Sequence, residues 1–166
     1  MEHVIHEIPP LFSPSSSILI LGSFPSVKSR ECGFFYGHPQ NRFWKVLSGL
    51  FREDLPVSIP EKQQFLLRHH IAVWDVIASC EIHGSSDSSI KNALPNDLSV
   101  ILSHACIRQI FCNGTTSWKL YQKYMKPQYA VDAVKLPSTS PANAAFSLER
   151  LTKEWSVILP YLKNPS

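Results

Sequence analysis

ILILGSFPSVKSRECGFFYGHPQNRFWKVL, Ile18–Leu47, is the stretch on which the fold turns. It opens with four aliphatic residues in a row, Ile18 to Leu21, and Gly22 closes the run. Such a run has no polar alternation and is far too short to span a bilayer, so it predicts a strand buried on both faces. Ser23–Pro39 follows, rich in Gly, Pro and aromatics and without a clean period. A loop of that length in a compact domain usually carries function. Helical spacing then begins. Over Gln40–Phe51 the residues Phe43, Trp44, Leu47, Leu50 and Phe51 share one face, with Pro39 near the first-turn position that tolerates proline.

Working outward, Ser13–Ser17 reads as a short loop, Glu61–His70 as a helix and Ile71–Val76 as a second strand. Ser85–Leu102 reads as polar and then helical, Ile107–Cys112 as a third strand ended by Asn113-Gly114, Thr115–Met125 as a helix, and Ala130–Leu136 as a fourth strand. Ser140-Pro141 has the form of an N-cap followed by a first-turn proline. The final helix places Leu148, Leu151, Trp155, Ile158 and Leu159 on one side and is expected to stop at Pro160. Strand and helix alternate about four times. That predicts the α/β class: a three-layer α/β/α sandwich with a central, mostly parallel four-stranded sheet, formed by one domain over residues 1–166. In such sheets a ligand binds outside the carboxyl ends of the strands, so Gly22–Pro39, Asn113–Ser117 and Pro137–Asn143 are expected to converge there.

Composition excludes little beyond disorder. Hydrophobic residues make up 44% and charged residues 17% of 166, an ordinary globular balance. A net charge of +3 permits a nucleic-acid partner without requiring one. Cys32, Cys80, Cys106 and Cys112 form no C-x-x-C pair and no zinc-ligand spacing, so they read as reduced thiols. The start of the chain, Met1–Pro10, carries Glu2 and Glu7 and no long apolar run, so a cytoplasmic protein without membrane association is expected. No G-x-G-x-x-G or P-loop is present, which disfavours other nucleotide-binding α/β proteins.

The run GSFPSVKSRECGFFYGHPQNRFWKVL, Gly22–Leu47, resembles the uracil-DNA glycosylase superfamily. Its Gly-Phe-x-Phe-x-His-Pro-x-Asn-Arg-Phe-Trp-like portion is similar to the mismatch-specific and thymine-DNA glycosylases. Gly22-Ser-Phe-Pro-Ser26 looks closer still to the hypoxanthine (deoxyinosine) DNA glycosylases. LPSTSPANA, Leu136–Ala144, resembles the second superfamily motif in position and type.

The resemblance implies a set of roles. Phe24 stands where the mismatch-specific enzymes carry a catalytic asparagine, and a phenyl ring can neither hold nor polarise a water. It is left as part of the base-binding wall. Asn41 matches the asparagine that the deoxyinosine-excising branch uses for catalysis. Its amide can accept from an attacking water or donate to the base, and capping of the helix is the alternative. Tyr36 matches the aromatic that stacks on the extruded base; packing is its alternative, and one of Phe34 and Phe35 is read as core. His38 is a pocket donor or a structural histidine. Arg42 contacts phosphate or, preferably, pairs with a carboxylate inside the fold. Phe43 and Trp44 are core. Asn113 and Asp75 are assigned to the base, with turn and cap roles as their alternatives. Ser138, Thr139 and Ser140, with the N-terminus of the helix expected after them, are assigned to DNA phosphate, as are Ser26, Lys28 and Asn143; Arg30 is a further phosphate candidate. Ser138 stands where several related families begin this motif with histidine.

The implied reaction is hydrolysis of the N-glycosidic bond of a flipped, deaminated base, most consistent with hypoxanthine, by a monomer that needs no metal or cofactor. DNA containing the deaminated base is the partner, and an abasic site is the product. Uracil or mixed specificity, or a non-catalytic nucleic-acid-binding domain on the same fold, are the rivals.

Overall fold

Ile18–Leu21 are completely buried, because the strand they form lies inside a sheet with a neighbour on each side. The structure is a computed structural model and describes residues 2–162. The sheet contains β2 (Ile18–Gly22), β3 (Ile71–Asp75), β6 (Gln109–Asn113) and β7 (Ala133–Leu136), in the order β3-β2-β6-β7. Every pairing in it is parallel. From β2 the chain steps to one side to make β3, and later steps to the other side to make β6 and β7. With right-handed crossovers, opposite steps put the connecting helices on opposite faces. The expected parallel four-stranded sheet is therefore the observed one, and the strand order reverses between β2 and β6, where a crevice opens.

The connection from β2 to β3 carries α1 (Val27–Cys32), α2 (Phe43–Phe51) and α3 (Ile59–Arg68). A capping box starts α3: Ser58 Oγ accepts from Glu61 N, and Ser58 N donates to Glu61 Oε1. The helix α2 starts at Phe43 rather than at Gln40, after a turn through Pro39 and Gln40. α4 (Ser99–Leu102) precedes β6, and α5 (Thr115–Tyr124) and α6 (Lys126–Tyr129) lie between β6 and β7. α7 (Leu148–Trp155) returns to pack on α2, where the Trp155 and Phe43 rings meet edge to face at 5.9 Å.

A second sheet was not expected. β1 (Glu2–Ile5), β4 (Ile77–Ile82) and β5 (Lys91–Pro95) form an antiparallel sheet in the order β1-β4-β5. Only Val76 separates β3 from β4, so one apolar run in the sequence, IAVWDVIASCEI, serves two sheets. The Ser85–Leu102 segment holds a 3₁₀ turn at 87–89, β5 and the short α4, rather than a longer helix.

Two further expectations are corrected. Ser140-Pro141 does not start a helix. Among the described residues, Ser140 Oγ accepts only from Ala142 N, the residues after it form a turn, and α7 begins at Leu148 with Ser147 as its cap. The reason lies in Arg42. Its guanidinium donates to the carbonyls of Phe146, Ser140 (3.2 Å) and Asn143 (2.9 Å), which holds these groups splayed around one cation instead of aligned along a helix axis. Among the described residues, Arg42 therefore pairs with backbone carbonyls rather than with a carboxylate. Replacing it by methionine is expected to destabilise the protein by about 1–3 kcal/mol, since hydrogen bonds to a charged group are lost together. Urea unfolding measures this, and limited proteolysis should show earlier cleavage within 140–146. Pro160 likewise does not mark the helix end: α7 stops at Trp155 and continues as a 3₁₀ segment over 156–161 that contains Pro160.

Candidate active site

β2, β3 and β6 end in Gly22, Asp75 and Asn113, and the chain leaving β7 reaches Ser138 two residues later. These four ends surround a cavity of about 360 Å³ at the carboxyl edge of the sheet. Its walls come from Gly22–Ser26, from Tyr36, His38 and Asn41, and from Ser138–Ala142, as the topology requires, and from Ser85 and Asp87 of the second sheet's β4–β5 connection.

Asn41 lines this cavity, and its orientation is fixed by its neighbours. Oδ1 accepts from Phe43 N (3.0 Å) and from Thr139 Oγ1 (2.8 Å). Thr139 can donate there because its own hydroxyl accepts from Asn113 Nδ2 (3.0 Å), while Thr139 N donates to Asn113 Oδ1 (3.0 Å). Two donors on one atom identify that atom as the oxygen. Both lone pairs are thus engaged, and no described residue takes a hydrogen from Nδ2. Asn41 therefore does two things at once: its oxygen satisfies the first N–H of α2 from the residue before the N-cap, and it lines the cavity with an amino group that no described residue takes up. An acceptor role toward an attacking water is not available to it.

Tyr36 also lines the cavity, with Phe43 stacked on one face at 3.9 Å. Its backbone has φ 52°, a conformation rare for an aromatic residue, and Trp44 Nε1 donates to its carbonyl (3.2 Å). The hydroxyl is buried beside the Asn113 side chain and, among the described residues, makes no hydrogen bond of ordinary geometry. Burial pushes its pKa upward, and the nearby Asp75 charge adds to this, so the phenol is a neutral donor.

Asp75 is buried at the end of β3. Its Oδ2 is 2.8 Å from His6 Nε2. Its Oδ1 lies so close to Gly22 that a Cβ there would be 2.3 Å from it, which is why β2 must end in glycine. Asp87 faces the same space. The residue as a whole is exposed, but its carboxylate turns inward to accept from Ser23 Oγ (2.8 Å), and lost hydration raises its pKa, helped by the Asp75 charge.

Phe24, 7% exposed, forms wall beside His6 and lies beneath the Arg30 guanidinium. Arg30 is occupied by the Gly84 carbonyl (2.7 Å). His38 lines the cavity, and its Nδ1 accepts from Gln40 N. Ser26 caps α1, and Ser138 Oγ and Ser140 Oγ serve local turns, all three at the cavity wall. Thr139 is fully buried, a brace between Asn113 and Asn41. Lys28 and Asn143 are not brought to the cavity: Lys28 is exposed beside Glu31 (3.6 Å), and Asn143 Nδ2 donates to the Ser138 carbonyl (3.0 Å). Phe34 and Phe35 are both core, as are Phe43 and Trp44.

Residues 9–163 match the Uracil DNA glycosylase superfamily. The chain belongs to that superfamily. It is 32% identical over 152 residues to a hypoxanthine DNA glycosylase of Methanosarcina acetivorans, covering 90% of this chain and 94% of the relative. A hypoxanthine DNA glycosylase of Methanosarcina barkeri is 33% identical over 111 residues, 66% of this chain and 70% of that one. The solution NMR structure of a Methanosarcina acetivorans protein assigned as a uracil DNA glycosylase superposes with a TM-score of 0.80 at 30% identity, over 95% of this chain and 97% of the other. In this superfamily member, no helix among the described residues is long and apolar enough to cross a membrane.

Ser85 and Asp87 at the cavity wall, and His6 behind Asp75, are residues that sequence reasoning missed. A signal for His6 exists in EHVIHEI, where Val4, His6 and Ile8 alternate with the exposed His3, Ile5 and Glu7. Such alternation marks a strand with one buried face.

Proposed function

We propose that this chain is a monofunctional DNA glycosylase that removes hypoxanthine from deoxyinosine-containing DNA, acting as a cytoplasmic monomer in base excision repair. The observation that carries the reading is the Asn41 amide at the cavity, its oxygen committed and its amino group open, in a chain whose relatives bear the name hypoxanthine DNA glycosylase.

The target nucleotide leaves the duplex and enters the cavity, at a cost of a few kcal/mol that is smaller in a weak pair. Tyr36 supplies an aromatic wall. Deaminated bases share a lactam edge, a ring N–H beside a carbonyl, whereas adenine presents a bare ring nitrogen beside an amino group. Asp75 Oδ1 accepts the ring N–H, which favours hypoxanthine and disfavours adenine. Asn41 Nδ2 donates to the base where negative charge develops as the glycosidic electrons pass to it. Water adds to C1′ of the cationic sugar, and its proton ends on the departing base or in solvent. The products are free hypoxanthine and an abasic site. Lys28 and Ser26 are assigned to the flanking phosphates, with the Ser138–Ser140 turn on the opposite wall.

An oligonucleotide panel tests this. Purified protein is expected to generate alkali-labile sites in deoxyinosine DNA at least about tenfold faster than in uracil DNA, the order that a difference in base size is worth in a fitted pocket, and none in normal adenine DNA, whose edge offers Asp75 no ring N–H. Equal or faster cleavage of uracil DNA would move the assignment to the uracil branch. No cleavage of any substrate would leave a binding domain.

A further inference from the structure

We infer that His6, supplied by the second sheet, is the positioning residue that fixes the base-reading carboxylate of Asp75; this rests on the role proposed for Asp75 above. The two sheets meet where β3 ends. Val76 N donates to the Gly22 carbonyl (2.9 Å) and Ile77 N, the first residue of β4, to the Ser23 carbonyl (3.1 Å). β1 runs antiparallel to β4, and His6, just past its end, donates its backbone N–H to the Ala78 carbonyl (2.7 Å). That register delivers the His6 ring to Asp75 across 69 residues of sequence.

The side chain is 1% exposed. Phe24 and Trp74 contact its ring edge-on, with centroids at 6.0 and 6.4 Å, and Phe35 lies at 6.3 Å. The imidazole cannot turn in this box, so Nε2 has one place to direct its hydrogen. A carboxylate neighbour selects the tautomer that carries the proton on Nε2. Among the described residues, Nε2 is the only hydrogen-bond partner of the Asp75 carboxylate. Oδ2 is held, Oδ1 rests against Gly22, and the second oxygen's lone pairs open on the cavity. A purely structural ion pair would bury and satisfy both oxygens. Here one half of the carboxylate is anchored and the other half is presented, the arrangement of an acceptor meant for a ligand.

The test compares His6→Phe, which keeps the ring and deletes the donor, with His6→Gln, whose Nε2 amide can replace it. Single-turnover excision of deoxyinosine DNA is measured beside affinity for DNA carrying a tetrahydrofuran abasic analogue. His6→Phe is expected to lose about 10- to 100-fold in excision rate, the range for a misplaced contact group, while its affinity for the analogue stays within about threefold, a change below one power of ten in binding. His6→Gln is expected to recover most of that loss. Wild-type-like excision by His6→Phe, equal defects in both variants, or a loss confined to DNA affinity would each overturn the inference. Should His6→Phe fail to fold, ¹⁵N-histidine NMR of the wild type decides. A protonated Nε2 that shifts when non-cleavable 2′-fluorodeoxyinosine DNA binds is expected; an Nε2 without a proton, or one indifferent to that DNA, overturns it. A wild type inactive on deoxyinosine but active on another base refutes the assigned substrate, and the same variant ratio is then read on that base.

Discussion

Asn41→Ala is expected to abolish excision of hypoxanthine, with a loss of at least about 100-fold in the single-turnover rate, while duplex binding survives. The magnitude follows from the position of the lost group. A fixed donor aimed at developing charge in a dry site contributes about 100- to 1000-fold. Asn41 has what such a donor needs: Phe43 N and Thr139 Oγ1 grip its oxygen, so the amino group requires no reorganisation when charge appears. The same hydrogen bonds predict a second, smaller effect. Losing the acceptor that Phe43 N and Thr139 Oγ1 share costs about 1 kcal/mol of stability, a shift of a few degrees in Tm for a chain of this size. Asn41→Asp separates the two. It retains an oxygen for Phe43 N and Thr139 Oγ1 and replaces the donor by a charged acceptor, so stability should hold while excision falls as in the alanine variant. Single-turnover assays with thermal melts check both variants, and an Asn41→Asp enzyme of wild-type rate would exclude the donor role.

How much of this site was legible in the sequence depends on how local each contact is. The parallel sheet was readable because its strands are continuous apolar runs, and the cavity's place followed because strand ends in such a sheet share one edge. Asn41, Tyr36 and Phe24 lie within one loop–helix segment whose pattern carries a family likeness, so they could be nominated before any coordinates. The Thr139 brace was only half visible: the motif around Ser138–Ser140 could be placed, but not that its threonine turns inward to hold two amides. Arg42 misled because an arginine turned into the fold suggests a carboxylate partner, whereas three carbonyls more than ninety residues away serve it instead. The second sheet was hidden by Val76, a single residue that ends one sheet and begins another within an unbroken apolar run. With that sheet unseen, His6 had no address, since its contact with Asp75 exists only through the register of β1 on β4.

Gly22→Ala carries the other large expected effect, and it separates steric from chemical causes. The added methyl would stand 2.3 Å from Asp75 Oδ1, well inside contact distance. Neither partner can yield. Gly22, the last residue of the inner strand β2, is fixed by its pairing with Asp75 itself, and Asp75 cannot swing away without breaking its bond to His6. Overpacking of this kind costs about 1–3 kcal/mol, and the displaced carboxylate should lower excision by about 100-fold, the order expected when a reading group moves by an ångström. A double-mutant cycle with Asp75→Ala resolves the two consequences. Removing the carboxylate relieves the clash, so Gly22→Ala should be nearly neutral for stability in that background, an interaction energy of about 1–3 kcal/mol between neighbours. Activity should not return, because the acceptor is then absent rather than misplaced. Recovered stability with absent activity supports a carboxylate that reads the base. If the double variant regains excision, Asp75 is only packing, and discrimination against adenine has to come from the Asn41 side of the cavity.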